Sequence, residues 1–595
     1  MAYFKRDRFA GIAPGVAPRL LADQFGQIAE NIDFESGRLV STTEDSDVFT
    51  LQNGNRRSIY YYNDATWLQW SEDDVSVVSG PIPGDINSRL YWTGQGDSSS
   101  DSDFPRMGTA AGIVSGNTGP NVEYKLGVPA PTGVVSVSKS GTPTANATPN
   151  DVSYVYTFVT ANGEEGPPSS PTAILELTDD ESVTIQIPSH SGGAYNFQHI
   201  SVSGNQGVAY KRLYRSNTGS TNTQFQLVPT LTLGTGGVIY NGNIPYNQTS
   251  VVDSTDAANL AEVLVSGDWI GPPDETANYP DGPLQGLIPL AQGTMAGFTG
   301  KRFCLSEPFM PHAWPIQYRI TTEEDIVAIA STANGVAALT DGHPYFVTGT
   351  EPSSMTAVRV DLAQACVNKR SVVDMGDYVL YAGPDGLCAV QSAQGSIATK
   401  GLISAKQWNA DFYPGTIRAF RHEGTYVAFW TSGSNHGGWV YDPRGSESSL
   451  STLSIAAEVR GGYMHPKDGQ LYIIVGDKIK KYQGSATKRL LIFKSKKYLT
   501  PKPTSMGWVS VHANEYPVTV KVYGDGTLLA HYILTKSGST YTQATTVPSN
   551  ISSGTLQEPI MRLPAVVAQE WEVQVEGKDI NEFCLAQSMD EIRNT

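Results

Sequence analysis

IVAIASTANGVAALTDGHPYFVTG (326–349) reads as a β-branched strand, a turn at Asn334-Gly335, a second apolar strand, a turn at Asp341-Gly342 and a third strand rich in aromatics. The same grammar returns in SVVDMGDYVLYAGPDGLCAVQ (371–391), in TIRAFRHEGTYVAFWTSG (416–433) with GGWVYDPRG (437–445), and in GGYMHPKDGQLYIIVGDKIKKYQG (461–484). A repeat of about 40 residues with three or four short strands per unit is what a β-propeller blade requires. No WD or kelch signature accompanies it, so the blades are divergent. A six- or seven-bladed ring needs more than these four. The runs SIYYYN, TWLQW, VSVVSG and SRLYWTG between residues 57 and 94, the stretch near 288–318 and the C-terminal strands are the expected sources of the rest.

Working outward, the chain changes character after Gly127-Val128-Pro129-Ala130-Pro131. DVSYVYTFVTANGEEGPPSSP (151–171) alternates at Tyr154, Tyr156 and Phe158, turns at Asn162-Gly163 and leaves through prolines. ESVTIQIP, YKRLYRSN and QFQLVP follow as strands of similar length, the spacing of a β-sandwich with proline-marked edges. Together with KRLYRS, this stretch resembles fibronectin type III modules. Residues 490–595 alternate cleanly again, with Val518, Val520 and Val522 on one face. Short helices are expected at 361–370 and 402–412. The predicted architecture is mainly β: a divergent β-propeller-like platform with an inserted fibronectin-III-like sandwich and a C-terminal β unit. Its expected parts are an N-terminal segment with a β-meander (1–124), the insert (125–265), the blades (266–489) and the C-terminal domain (490–595).

Composition agrees with a folded β chain. Glycine (59) and proline (36) make up roughly a sixth of the 595 residues, above the about 12% of an average protein. Charged residues are 17% and hydrophobic ones 39%, too apolar for disorder. Cys304, Cys366, Cys388 and Cys584 show no metal-like spacing and no disulfide framework, which points to synthesis in a reducing cytosol. The opening residues lack a signal-peptide core, and no apolar run approaches the roughly 18 residues that span a bilayer. A formal charge of −17 argues against broad gripping of nucleic acid. A negative wall, however, lets a duplex slide without sticking.

Catalytic and metal motifs are missing: no G-x-S-x-G, H-E-x-x-H or G-x-x-x-x-G-K-[ST] occurs. Asp97, Asp101 and Asp103 lack the Gly and distal Glu of an EF-hand loop and read as a solvated loop. Glu164-Glu165 and Glu323-Glu324-Asp325 read as solvated turn or edge charges. His312 is expected in a buried turn, bonded to backbone, with Glu307 as the carboxylate a catalytic role would need. His343, His422 and His465 stand one per repeat, in turns too different to suggest a ligand ring. No cofactor or metal is expected. The charge feature that stands out is basic: Lys478, Lys480, Lys481, Lys488, Arg489, Lys494, Lys496, Lys497 and Lys502. It suits a DNA path or a contact with an acidic subunit, and equally the protection of strand edges by lysine.

Three stretches carry a resemblance. RFAGIAPGVAPRLLADQFGQIAENIDFESGRLV (8–40) holds F-x-G-x-x-P, then A-x-x-A-x-N and D-x-x-S-G-x-L; MAGFTGKRFCLSEPFMPHAWP (295–315) ends in S-E-P-x-x-P-H-x-W-P. FKSKKYLTPKPTSMGWVSV (493–511), with RLPAVVAQEWEVQVEG and LAQSMDEI, forms the third. In these the chain resembles the tail tubular or nozzle proteins of short-tailed bacteriophages, in scattered patches over most of its length. The resemblance implies a non-enzymatic virion tail protein, made in the host cytoplasm, that forms a homo-hexamer below the tail adaptor ring. It also implies attachment of tail fibres or other tail proteins, transient passage of double-stranded DNA and no membrane span. The competing expectations are a host-surface-binding tail adhesin and a glycan-cleaving tail enzyme.

Overall fold

The computed structural model describes residues 3–52, 54–95, 104–110, 123–189, 208–218, 223–234, 236–274, 281–444 and 448–594. The chain is mainly β, and it divides into two compact units: Met1–Tyr61 with Thr332–Phe346 and Arg359–Thr595, and Tyr62–Ser331 with Val347–Val358.

In the first unit the repeat grammar becomes blade-like antiparallel sheets. Val373–Asp374, Val379–Ala382, Leu387–Gln391 and Gln394–Ile397 form one four-stranded meander. Arg418–His422, Thr425–Ser432, Asn435–Asp442 and Ser449–Leu453 pair in order as the next. Val459–Met464, Leu471–Val475 and Lys478–Lys481 supply three strands of another, and its fourth comes from the far N-terminus: Ser46–Thr50 pairs with Lys478–Lys481.

The N-terminus is stitched in at other places too. Gly26–Glu30 lies between Ser449–Leu453 and Leu491–Ser495, so the meander from 418 to 453 and the C-terminal strands belong to one twelve-stranded sheet. A second sheet joins Ile32–Asp33, Leu39–Ser41, Asp579–Ala586, Trp508–Ala513 and Ile560–Arg562, with Tyr3–Arg6 also on Asp579–Ala586. Between these sheets Val518, Val520 and Val522 pack with Val509, Val511, Val573, Val575, Phe583 and Leu585, all fully buried. Each such side chain stabilises the fold by about 1.5–3 kcal/mol.

Of the two expected helices, Ala405–Asp411 forms. Ser404 and Gln407 close a capping box and Trp408 is buried beneath. Residues 361–370 do not, apart from a 3-10 turn at Lys369–Ser371. There the N–H of Cys366 donates to Thr340 O and that of Val367 to Ala382 O, so bonds to neighbouring strands displace helical ones.

In the second unit the runs after residue 75 do not continue one meander with 58–70. Ser76–Ser79 and Leu90–Thr93 join Arg106–Gly108 and Tyr124–Lys125 in a four-stranded sheet. Gln285–Pro289, Met295–Thr299, Arg302–Leu305 and Ile320–Thr321 form another. The insert is a two-sheet sandwich. Ser136–Ser140, Ser182–Gln186, Ser250–Asp253, Thr230–Leu233 and Val238–Tyr240 make one sheet, and Tyr154–Thr160 with Val208–Thr218 and Thr223–Leu227 the other. Tyr154, Tyr156 and Phe158 enter the core with Val183, Ile185, Leu213, Leu231 and Val251. The alternate residues of that strand are buried as well: Val155 packs with Tyr214 and Leu227, and Thr157 bonds Glu165.

Candidate functional site

The first resemblance-bearing stretch shapes an open cleft of about 810 Å³ in the first unit. Gly11 makes it possible. Its φ is +92°, and a Cβ there would lie 2.3 Å from Leu450 O, so only glycine lets the segment pass this close to the strand Ser449–Leu453. Phe9 then turns into the core, edge-on to Phe493 at 5.0 Å, and forms an apolar floor. The rim is ionic. Arg6 lies 3.0 Å from Asp23 and donates to the Tyr498 hydroxyl at 2.9 Å. Arg444 grips Asp442 through two nitrogens at 2.9 Å each and reaches Glu35 at 3.2 Å. The hydrogen bonds it donates to Asp442 hold the Arg444 guanidinium above the usual arginine range. Asp7 and Arg8 complete the rim and are exposed. An apolar floor ringed by alternating charges suits recognition of a polypeptide segment with the opposite alternation.

The basic run does not form one patch. Six of its nine residues meet carboxylates of their own unit: Lys480 with Asp47 (3.0 Å), Arg489 with Asp45 (3.0 Å), Lys494 with Glu572 (2.8 Å), Lys496 with Asp23 (3.2 Å), Lys497 with Glu570 (2.9 Å), and Lys488 with Glu515. The hydrogen bond that Lys497 donates to Glu570 raises the Lys497 pKa. Lys478 donates to the Thr50 hydroxyl at 2.6 Å, Lys481 sits in register with Ser46, and Lys502 is exposed on Tyr498–Thr504. The acids come from residues 23–47 and 515–572, far off in sequence, so a linear reading sees the cations and misses their partners.

In the second unit the expected solvated pair Glu164-Glu165 is buried instead. Arg89 Nη1 meets Glu164 at 2.8 Å while its Nε holds Asp85 at 2.8 Å. Glu165 accepts from Arg212 (2.8 Å), the Thr157 hydroxyl (2.6 Å) and the Tyr214 hydroxyl (2.7 Å). His312 is almost fully buried, edge-on to Trp269 at 5.8 Å, and neither ring nitrogen makes a well-aligned hydrogen bond among the described residues. The ring lies against the Glu165 backbone, in line with the expected backbone contact, and Glu307 serves Tyr318 at 3.0 Å rather than His312. Burial pushes the His312 pKa down, against the opposing pull of the Glu164 carboxylate and the Glu165 backbone.

His422 and His465 are buried: His422 lies edge-on to Tyr482 at 5.0 Å, and His465 bonds Asp468 at 3.0 Å. His343 lies 3.1 Å from Arg359. Glu323 and Asp325 are exposed. Asp97, Asp101 and Asp103 lie outside the described residues. Among the described residues no group of three or more His, Cys, Asp or Glu side chains is arranged to hold a metal ion. None of their helices is long and apolar enough to cross a membrane.

No family model matches the chain, and no curated protein does. Among solved structures it is similar to the N-terminal domain of Nup159 (7% identity, 49% of this chain and 76% of that one, TM-score 0.23). Dihydro-heme d1 dehydrogenase NirN in complex with DHE is another (9%, 73% and 78%, TM-score 0.22). A third is the extracellular domain of a one-component system from B. thetaiotaomicron (8%, 92% and 96%, TM-score 0.21). At these scores the fold description rests on the strand pairing itself.

Proposed function

We propose that this chain is a structural protein of a short-tailed phage virion, a nozzle or tail-tube component that assembles as a homo-hexamer under the tail adaptor ring. It carries fibres or other tail proteins and lets double-stranded DNA pass. It has no catalytic role in this reading. The observation that carries the proposal is the placement of the first resemblance-bearing stretch: residues 8–40 shape the charged cleft and also pair with strands near the C-terminus. A part that must seat a neighbour and withstand force benefits from having its docking segment sewn into its core. The pairing of six of the nine basic residues with carboxylates supports a wall that does not grip DNA, since phosphate contact needs uncompensated cations.

A second reading, a host-surface-binding adhesin, draws support from the half-buried rings Tyr60 and Tyr463 (5.1 Å apart) and Tyr61, 5.7 Å from His465, which suit stacking against sugars. Native mass measurement on adaptor-bound material separates the two: six copies are expected, and three would transfer the assignment to the adhesin. Arg8→Glu at the exposed rim is expected to weaken adaptor binding without changing the circular dichroism spectrum. Undiminished adaptor binding would remove the cleft from the interface.

A further inference from the structure

The meander from 373 to 397 turns one face toward an open cavity of about 400 Å³ in the first unit. That is near the lower end of the about 300–1,000 Å³ typical of small-molecule sites. Strand pairing sets the face. Leu380 stands opposite Ala389, Ala389 opposite Ser396 and Gln391 opposite Gln394, so these side chains project to one side. The turn Ser392-Ala393, with Ser392 at φ +52°, brings the two glutamines opposite each other. Tyr378, just before Val379–Ala382, adds a half-buried ring. The remaining wall belongs to the next meander: Pro443, and Tyr441, whose hydroxyl donates to Ser448 Oγ at 2.9 Å.

The lining has two textures. Leu380, Ala389 and Ala398 give an apolar floor, Leu380 fully buried and the alanines packed on the same core. Beside it the amides of Gln391 and Gln394 and the hydroxyl of Ser396 are exposed and make no hydrogen bond to any described residue. Each amide offers two donors and an acceptor, and the hydroxyl offers both. Among the described residues no ionised side chain lines the cavity. Asp377, Arg421 and Asp442 act on the Tyr378 hydroxyl from outside it, and Asp442 is taken by Arg444. An uncharged lining of this kind is a marked local choice in a chain of net charge −17.

We propose that this cavity binds a neutral saccharide. A sugar ring has C–H faces that suit the apolar floor and the Tyr378 ring. Its hydroxyls donate and accept, and so do the two amides and Ser396. An ionised ligand would give up its hydration with no counter-charge in the lining. A wholly apolar ligand would shut the amides away from water unpaired. A neutral polyol with an apolar face meets neither objection. The cavity is built from other strands than the rings at Tyr60 and Tyr463, and its chemistry depends on neither reading of the whole protein.

Full-length protein is mixed in turn with maltose, cellobiose, lactose and N,N′-diacetylchitobiose, and saturation-transfer NMR is recorded on each. Transfer to the ring protons of at least one of them is expected, with saturable binding. Gln391→Ala and Gln394→Ala are each expected to weaken that binding about threefold to tenfold, as loss of a hydrogen bond implies. Both side chains are exposed, so these variants are expected to melt at the parent's temperature. Tyr378→Ala is expected to weaken binding as well. N-acetylneuraminic acid and indole supply the charged and the apolar comparison, and both are expected to bind more weakly than the preferred disaccharide. Absence of transfer to all the disaccharides overturns the proposal. Binding indifferent to both glutamine substitutions, or a preference for the acid or for indole, overturns it equally.

Discussion

Glu164 and Glu165 are neighbours in the chain, yet they end on Arg89 and Arg212 respectively. Adjacent carboxylates diverge as the alternation of extended backbone requires. What the sequence does not display is that a cation from 75 residues earlier arrives to bury one of them. Solvation looked natural because partners so distant leave no local trace. Removing one member of a buried pair strands the other, at a cost of about 3–5 kcal/mol. Glu164→Gln is therefore expected to shift the urea midpoint of the full chain strongly, and a shift under a tenth of that size would show the pair to be solvated in solution. His312 yields a pH effect. Burial holds its pKa below the ordinary value near 6.5. As pH falls below about 6.5 the unfolded chain takes up a proton that the folded chain refuses, so stability declines with falling pH. His312→Phe keeps a ring beside Trp269 and removes the proton site. Its urea midpoints between pH 7 and 5 are expected to fall less steeply than the parent's. His422, also held low by burial, stays in both proteins, so equal slopes would exonerate His312.

Elements differ in how openly the sequence declares them. The blade strands are legible because β-branched and aromatic runs, bounded by Gly and Asp turns, encode both length and pairing. The helix Ala405–Asp411 is legible from Ser404 and Gln407. Residues 361–370 mislead, since their N–H groups are claimed by Thr340 and Ala382, and the local pattern marks the strands those residues end without saying which loop lies beside them. The sandwich is legible as a sandwich, while its attachment through Glu164 is not. Excision makes that distinction measurable. Residues 125–265 expressed alone are expected to melt cooperatively around the Tyr154, Tyr156 and Phe158 core. In this fragment Glu164→Gln is expected to be nearly neutral, because Arg89 is absent. A loss as large as in the full chain would mean that Glu164 stabilises the sandwich from within.

At the scale of the whole molecule, the boundaries expected near 124 and 490 are not where the pairing divides the chain. Tyr3–Arg6, Gly26–Glu30 and Leu39–Ser41 all pair with C-terminal strands, and Ser46–Thr50 completes a sheet begun at Val459. Sequence alternation marks strands but carries no address for a partner more than 400 residues away. The charged cleft was hidden for the same reason: its rim joins residues near 6, 35 and 444. Deleting residues 1–50 removes the strand between Ser449–Leu453 and Leu491–Ser495 and bares the edge Lys478–Lys481. The expected product is aggregation-prone and quickly cut by protease near residues 455–490. A soluble, resistant truncation would show that the blades stand without the N-terminal strands.

The same stitching sets a clock on synthesis. At about 5–20 residues per second the ribosome needs roughly half a minute to two minutes for this chain. Until Asp579–Ala586 is made, Tyr3–Arg6 has no partner and Leu39–Ser41 has only Ile32–Asp33. Their pairing is the most non-local step in the fold, and such steps are slow. A chain cut short before Asp579–Ala586 therefore cannot close this core, whatever the quality of the strands that precede it.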